Sequence, residues 1–161
     1  MAREPVSSGP VFSGPASIHG SCVAVGEIGV LIRGPSGAGK SELAFALILA
    51  GRTGAIPPTR LVADDRVVVT VRGGRLVASA PEAIAGLIEV RGIGIRRLPH
   101  ASEAVLGLVI DLAAPDGARL PQPDALHTAL DGVIVQRLPI AEGVHPLLPV
   151  IAFLTTQDAL P

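Results

Sequence analysis

Residues Gly34-Pro35-Ser36-Gly37-Ala38-Gly39-Lys40-Ser41 constrain this chain more than any other stretch. They fit G-x-x-x-x-G-K-[ST] at every specified position, behind an apolar run and ahead of a run of strong helix formers. Glycines let successive backbone N–H groups curl around phosphate oxygens, and a helix start adds unpaired donors and partial positive charge. Lys40 can reach the β- and γ-phosphates of a nucleoside triphosphate, and the Ser41 hydroxyl can ligate Mg²⁺. The eight residues from Gly34 to Ser41 are therefore expected to bind a nucleotide. The competing reading is a glycine-rich turn that only opens a helix. The preceding strand and following helix weigh against it.

Composition narrows the class. A chain of 161 residues suits one domain. With 48% apolar and 17% charged residues it is too apolar for a disordered chain. Thirteen Lys+Arg against fourteen Asp+Glu leave no basic footprint for nucleic acid. Aromatic residues are too scarce for base-stacking platforms. The single cysteine, Cys22, excludes an internal disulfide and a multi-cysteine zinc site, and reads as a buried apolar residue. No two histidines have metal-ligand spacing. No apolar run approaches the roughly 20 residues of a membrane span. Met1 to Pro15 lacks the apolar core of a signal peptide. The expectation is a cytoplasmic protein with no membrane or nucleic-acid partner, a flexible tail over residues 1–16 and a single domain over 17–161.

The element pattern is strand-rich. Cys22 to Val25 and Gly29 to Ile32 read as a hairpin or one kinked strand about Gly26-Glu27. Ser41 to Ala50 reads as a helix ended by Gly51. Leu61 to Ala63 is a short strand ending at Asp64-Asp65. Val67 to Val71 and Arg75 to Ala78 flank Gly73-Gly74, a hairpin signal. A short helix is expected over Pro81 to Gly86, strands over Ala104 to Leu112 and Val133 to Leu138, and a terminal helix over Pro146 to Ala159. Only one long helix is obvious. The fold class expected is α/β: a mixed sheet with few helices.

Two clusters add to the phosphate loop. Phosphate-loop proteins place a carboxylate at a strand end to hold Mg²⁺ through water. Asp64 and Asp65 offer one carboxylate for that task and one to take a proton from an attacking hydroxyl. Adjacent side chains on a regular strand face opposite ways, so the pair can cooperate only if the strand breaks there. The bland alternative is a solvated turn. Glu89-Val90-Arg91-Gly92-Ile93-Gly94-Ile95 is the other cluster. Its Glu89 and Arg91 would share one strand face, or simply form a surface ion pair.

Taken together, Gly34 to Ala44, Arg60-Leu-Val-Ala-Asp-Asp-Arg-Val67, Glu89 to Ile95 and Ser17-Ile-His-Gly20 resemble HPr kinase/phosphorylase in order and spacing. The resemblance implies a phosphate-loop kinase domain like the nucleotide site of phosphoenolpyruvate carboxykinase. It also implies ATP and Mg²⁺ as cofactors, an HPr-like phosphocarrier protein of the phosphotransferase system as substrate, and a hexameric homo-oligomer. Residue by residue it makes Asp64 the proton acceptor. Lys40, His19 and Arg119 would stabilise charge on the phosphoryl group. Ser41 and Glu89 would be Mg²⁺ ligands, with Asp65 supporting them. The resemblance does not take in the N-terminal domain of the long members, so the short alphaproteobacterial form is the expectation. The stretch tied to dephosphorylation is replaced by Ile140 to Pro146, so phosphorylase activity is expected to be weak or absent. The alternatives are a phosphate-loop kinase for a small metabolite and a nucleotide-binding regulatory module without turnover.

Overall fold

Five successive buried residues, Ser21–Val25, demand cover on both faces of a strand. The computed structural model, which describes residues 17–159, supplies it. In chain order the elements are β1 (Ser17–His19), β2 (Ser21–Val25), β3 (Ile28–Arg33), α1 (Lys40–Arg52), β4 (Thr59–Ala63), β5 (Arg66–Arg72), β6 (Arg75–Ser79), β7 (Leu87–Val90), β8 (Gly94–Arg97), β9 (Ala104–Asp111), β10 (His127–Leu130), β11 (Val133–Pro139) and α2 (Leu147–Thr155). The expected tail, residues 1–16, lies outside the described residues.

Nine strands form one mixed sheet in the order β1-β5-β6-β9-β3-β2-β4, with β10–β11 joined through β11 to β9. β3, β9 and β11 run parallel, and the remaining pairings in this sheet are antiparallel. This is the mixed sheet with few helices that the sequence implied. β9 switches partners along its length: Ala104 and Val105 pair with β6, whereas Leu108 to Asp111 pair with β11. Alternating side chains then build two cores. Val23, Val25, Val30 and Ile32 pack with Leu43 and Leu47 of α1 and Val150 of α2. Cys22, Ala24 and Leu31, on the opposite face, pack with Val67, Leu76 and Ala78, so the β5–β6 hairpin covers that side.

Several elements match their expected place, and others move for identifiable reasons. β2 and β3 are a true hairpin. Gly73 and Gly74 both take positive φ, 58° and 75°, as the tight β5–β6 turn requires. α1 continues through Gly51 to Arg52. Gly51 is there for contact, because a Cβ would sit 2.7 Å from the Thr59 nitrogen. β7 and β8 form a separate hairpin. Arg91 lies in its turn and does not share a strand face with Glu89. The expected helix over Pro81 to Gly86 shrinks to one 3-10 turn, Glu82–Ile84. Pro149 falls in the first turn of α2, where an N–H would have no helical partner, so the helix survives it. Among the described residues no helix is long and apolar enough to cross a membrane.

A charge cluster ties the carboxyl ends of the three parallel strands together. Asp111 of β9 accepts from Arg33 of β3 at 2.7 and 2.8 Å and from Arg137 of β11 at 2.5 Å. Arg137 also donates to Asp116 at 2.6 and 2.9 Å, anchoring the following loop. Burial would raise the Asp111 carboxyl, but Arg33 and Arg137 outweigh it and hold the group below the usual carboxylate range. Its stabilising contribution is therefore complete above the ordinary value, about 3.9. It is lost as pH falls through the depressed value. Asp111→Asn leaves Arg33 without its carboxylate and takes from Arg137 one of its two. It should cost roughly 2–4 kcal/mol at pH 7, a little under the loss for a fully buried pair. Urea unfolding at pH 7 and pH 3 checks this: the gap between variant and wild type should narrow at the acid end.

Candidate active site

The phosphate loop begins where β3 ends. Gly37 and Gly39 hold φ of 82° and 96°, conformations that cost other residues energy. Gly34 allows close passage, since a Cβ there would meet Leu112 Cβ at 3.0 Å. α1 then starts at Lys40 with its N-terminus facing the loop. Lys40 is buried and donates to the Gly34 and Pro35 carbonyls at 2.8 and 3.0 Å, leaving its third N–H for a ligand. The loop thus gathers a cation, backbone donors and a helix terminus, the chemistry of an oxyanion site.

Asp64 stands at the centre of the neighbouring polar cluster. It is 4% exposed. Its Oδ1 accepts from Ser21 Oγ at 2.6 Å and Ser41 Oγ at 2.7 Å, and its Oδ2 from the Glu89 backbone N–H at 3.1 Å. β2, α1 and β7 are thereby fixed on one carboxylate. The strand does break here. β4 ends at Ala63, and Asp65 adopts φ 68°, which turns its side chain into the open. Asp65 is 71% exposed and lies 3.5 Å from His19 Nε2. The backbone of Gly20 donates to the Asp65 carbonyl at 3.1 Å, tying β1 to this turn.

These groups line one cleft of about 630 Å³ that contains His19, Lys40, Ser41, Asp64, Asp65 and Glu89. The structure therefore brings together all but one of the catalytic and metal residues expected from the sequence. The exception is Arg119, which is exposed in the loop after β9 and does not line the cleft. That loop is held toward β11 by the Asp116–Arg137 pair and by Gly117, where a Cβ would meet the Ala141 nitrogen at 2.5 Å. Arg91 is the arginine that does line the cleft, in addition to Lys40. Ser21 was missed by the sequence reading. A serine opening an apolar strand carries no motif, and only the fold shows the carboxylate it serves. Ser41, Asp64 and Glu89 are hard oxygen donors, which suit Mg²⁺. No group of three carboxylate, histidine or cysteine side chains forms a closed metal cage among the described residues. The donor set fits an ion held mainly through phosphate oxygens and water.

The fold and this cleft define an α/β domain of the phosphate-loop type. Comparison with known proteins is specific. A model of the HPr serine kinase C-terminal domain matches residues 11–101, and the chain belongs to that family. The HPr kinase/phosphorylase of Clostridium tetani is 46% identical over 82 residues, 51% of this chain and 25% of that protein. The HPr kinase/phosphorylase of Clostridium acetobutylicum is 35% identical over 139 residues, 82% of this chain and 43% of that protein. The chain thus spans less than half the length of either relative. The solved structure of the HPr(Ser) kinase/phosphatase from Coxiella burnetii superposes with a TM-score of 0.69 at 27% identity. That match covers 85% of this chain and 87% of the other.

Two measurements check this packing. Burial pushes the Cys22 thiol up to about 12, so at pH 8 it should resist a thiol reagent until the protein is unfolded. Ser21→Ala removes a donor from a buried carboxylate and should lower stability by roughly 1.5–3 kcal/mol, measured by urea unfolding.

Proposed function

We propose that this chain is an ATP- and Mg²⁺-dependent protein-serine kinase acting on an HPr-like phosphocarrier protein. The observation that carries this reading is one cleft holding the phosphate-loop Lys40 and Ser41 beside Asp64, Asp65, Glu89 and His19. The relatives' names agree with it. An acceptor protein also has a face to meet. On the β7–β8 hairpin, Ile93 and Ile95 are 65% and 63% exposed beside Arg91, Arg96 and Arg97.

Phosphoryl transfer is mostly positioning and charge neutralisation. The acceptor serine oxygen bonds to the γ-phosphorus as the bond to the β–γ bridging oxygen breaks and ADP leaves. Lys40 and the loop N–H groups offset charge on the phosphoryl oxygens. Bound Mg²⁺ would neutralise phosphate charge, with Ser41, Asp64 and Glu89 as the residues to hold it. The geometry favours exchanging the two aspartate roles implied by family resemblance. Asp64 has both oxygens occupied inside the protein, bonded to the phosphate-loop hydroxyl, which suits the metal side. Asp65 is open and paired with His19, which suits removal of the serine proton. The basic role expected of Arg119 passes to Arg91. A homo-oligomer, hexameric by resemblance, belongs to the same proposal, as do a cytoplasmic location and a single domain over 17–161. Weak phosphorylase activity does too. Phosphate-dependent removal of the serine phosphate at a rate near the forward reaction would refute that part.

The test is transfer of labelled γ-phosphate from ATP to a purified HPr-like protein. Wild type should label a serine. Asp65→Asn should cut kcat about 100-fold or more, the scale of a lost general base, with ATP affinity kept. Asp64→Asn should raise the Mg²⁺ concentration that transfer requires. Transfer that survives in Asp65→Asn would return the base role to Asp64. ATP binding without any transfer would favour a metabolite kinase or a regulatory module.

A further inference from the structure

Ser21 opens β2, and the four residues after it, Cys22 to Val25, are all buried and apolar. Ser21 itself is 1% exposed. A buried hydroxyl costs free energy unless it is hydrogen-bonded. This one donates to Asp64 Oδ1 at 2.6 Å. The contact is built into the sheet. β2 and β4 are antiparallel, and their register slips by one residue: Val23 faces Leu61, but Cys22 faces Ala63. Carried one step further, the slipped register sets Ser21 opposite Asp64, whereas the unslipped one would set it opposite Ala63. Directly opposed residues of an antiparallel pair project from the same face. Bulges of this kind re-aim side chains beside active sites. Gly20 assists, since a Cβ there would lie 2.6 Å from the Ile32 carbonyl oxygen and push β2 away from β3.

Resting on the Mg²⁺-nucleotide reading of the cleft, we propose that Ser21 is a positioning residue for the metal. It fixes Asp64 so that the Ser41 hydroxyl and the second carboxylate oxygen stay free to serve the cation and its water. The hydrogen bonds allow a count. Asp64 Oδ1 accepts from both Ser21 and Ser41, which uses its two lone pairs. Among the described residues Oδ2 accepts only the Glu89 N–H, at 3.1 Å, and so keeps a lone pair. Ser41 gives its one proton to Oδ1, so its own lone pairs remain for a cation. Ser21 belongs to a strand and Ser41 to α1. The two donors therefore hold one oxygen from different elements and oppose rotation of the carboxylate. Without Ser21, Oδ1 has a single donor, and the carboxylate is free to turn and offer either oxygen to Ser41. Groups that orient a metal's partners in this way change metal affinity about 10–100-fold when removed.

The experiment measures ADP binding to the whole chain by calorimetry, in EDTA and across a Mg²⁺ titration, for wild type, Ser21→Ala and Ser21→Thr. In EDTA the variants should bind ADP within about twofold of wild type, because Lys40 and the loop N–H groups do not depend on Ser21. The Mg²⁺ concentration at half-effect should rise about tenfold or more in Ser21→Ala. It should return toward wild type in Ser21→Thr, which keeps the hydroxyl. Should Ser21→Ala not fold, Ser21→Cys reads the same loss, since its thiol is of similar size and a weak donor. An unchanged Mg²⁺ requirement, or an equal fall in ADP affinity with and without Mg²⁺, makes Ser21 a structural residue only and overturns the proposal. Wild type that binds ADP with no effect of Mg²⁺ overturns the metal reading of the cleft and the proposal with it. Wild type that binds no ADP under either condition overturns the nucleotide reading itself.

Discussion

One buried carboxylate organises the cleft. Asp64 is closed off from water and satisfied by two serine hydroxyls and one backbone N–H. A buried polar group in that position is tolerable only because the oxygens it turns inward meet donors. The same bonds place the start of α1, the end of β4 and the start of the β7–β8 hairpin relative to one another. Removing the carboxylate loosens all of these ties at once, whereas removing one donor loosens only its own. Hydrogen bonds to one acceptor therefore carry the geometry of the whole site, while the two apolar cores carry its stability.

The break after Asp64 is the second constraint. If β4 continued, Asp65 would point to the opposite sheet face and away from the cleft. The left-handed turn at Asp65 and its tie to Gly20 bring the neighbouring aspartate back to the same opening, beside His19. Two adjacent carboxylates thus acquire different environments, one enclosed and one open. That difference permits a division of labour between holding a metal and moving a proton.

Much of this was legible in the residues. The glycine spacing and Lys40-Ser41 set the phosphate loop, and Gly73-Gly74 set the β5–β6 hairpin. Asp64-Asp65 after a short apolar strand also stood out. What stayed hidden depends on contacts between distant segments. Gly51 looked like a helix stop because its packing against Thr59 cannot be read along the chain. β1, β8 and β10 are three or four residues long, too short to show a period, and exist because a partner strand is present. Ser21 gained its role only when β2 passed Asp64. Arg119 was placed by motif matching alone, and the Asp116–Arg137 anchor carries its loop elsewhere.

The most direct measurement is a crystal structure of the chain with Mg²⁺ and a non-hydrolysable ATP analogue. The expected result has the metal on the Ser41–Asp64 side of the phosphates, with Asp65 facing the open side beside His19. Metal bound by Asp65, with Asp64 turned toward the acceptor side, would contradict the division of roles between the two aspartates.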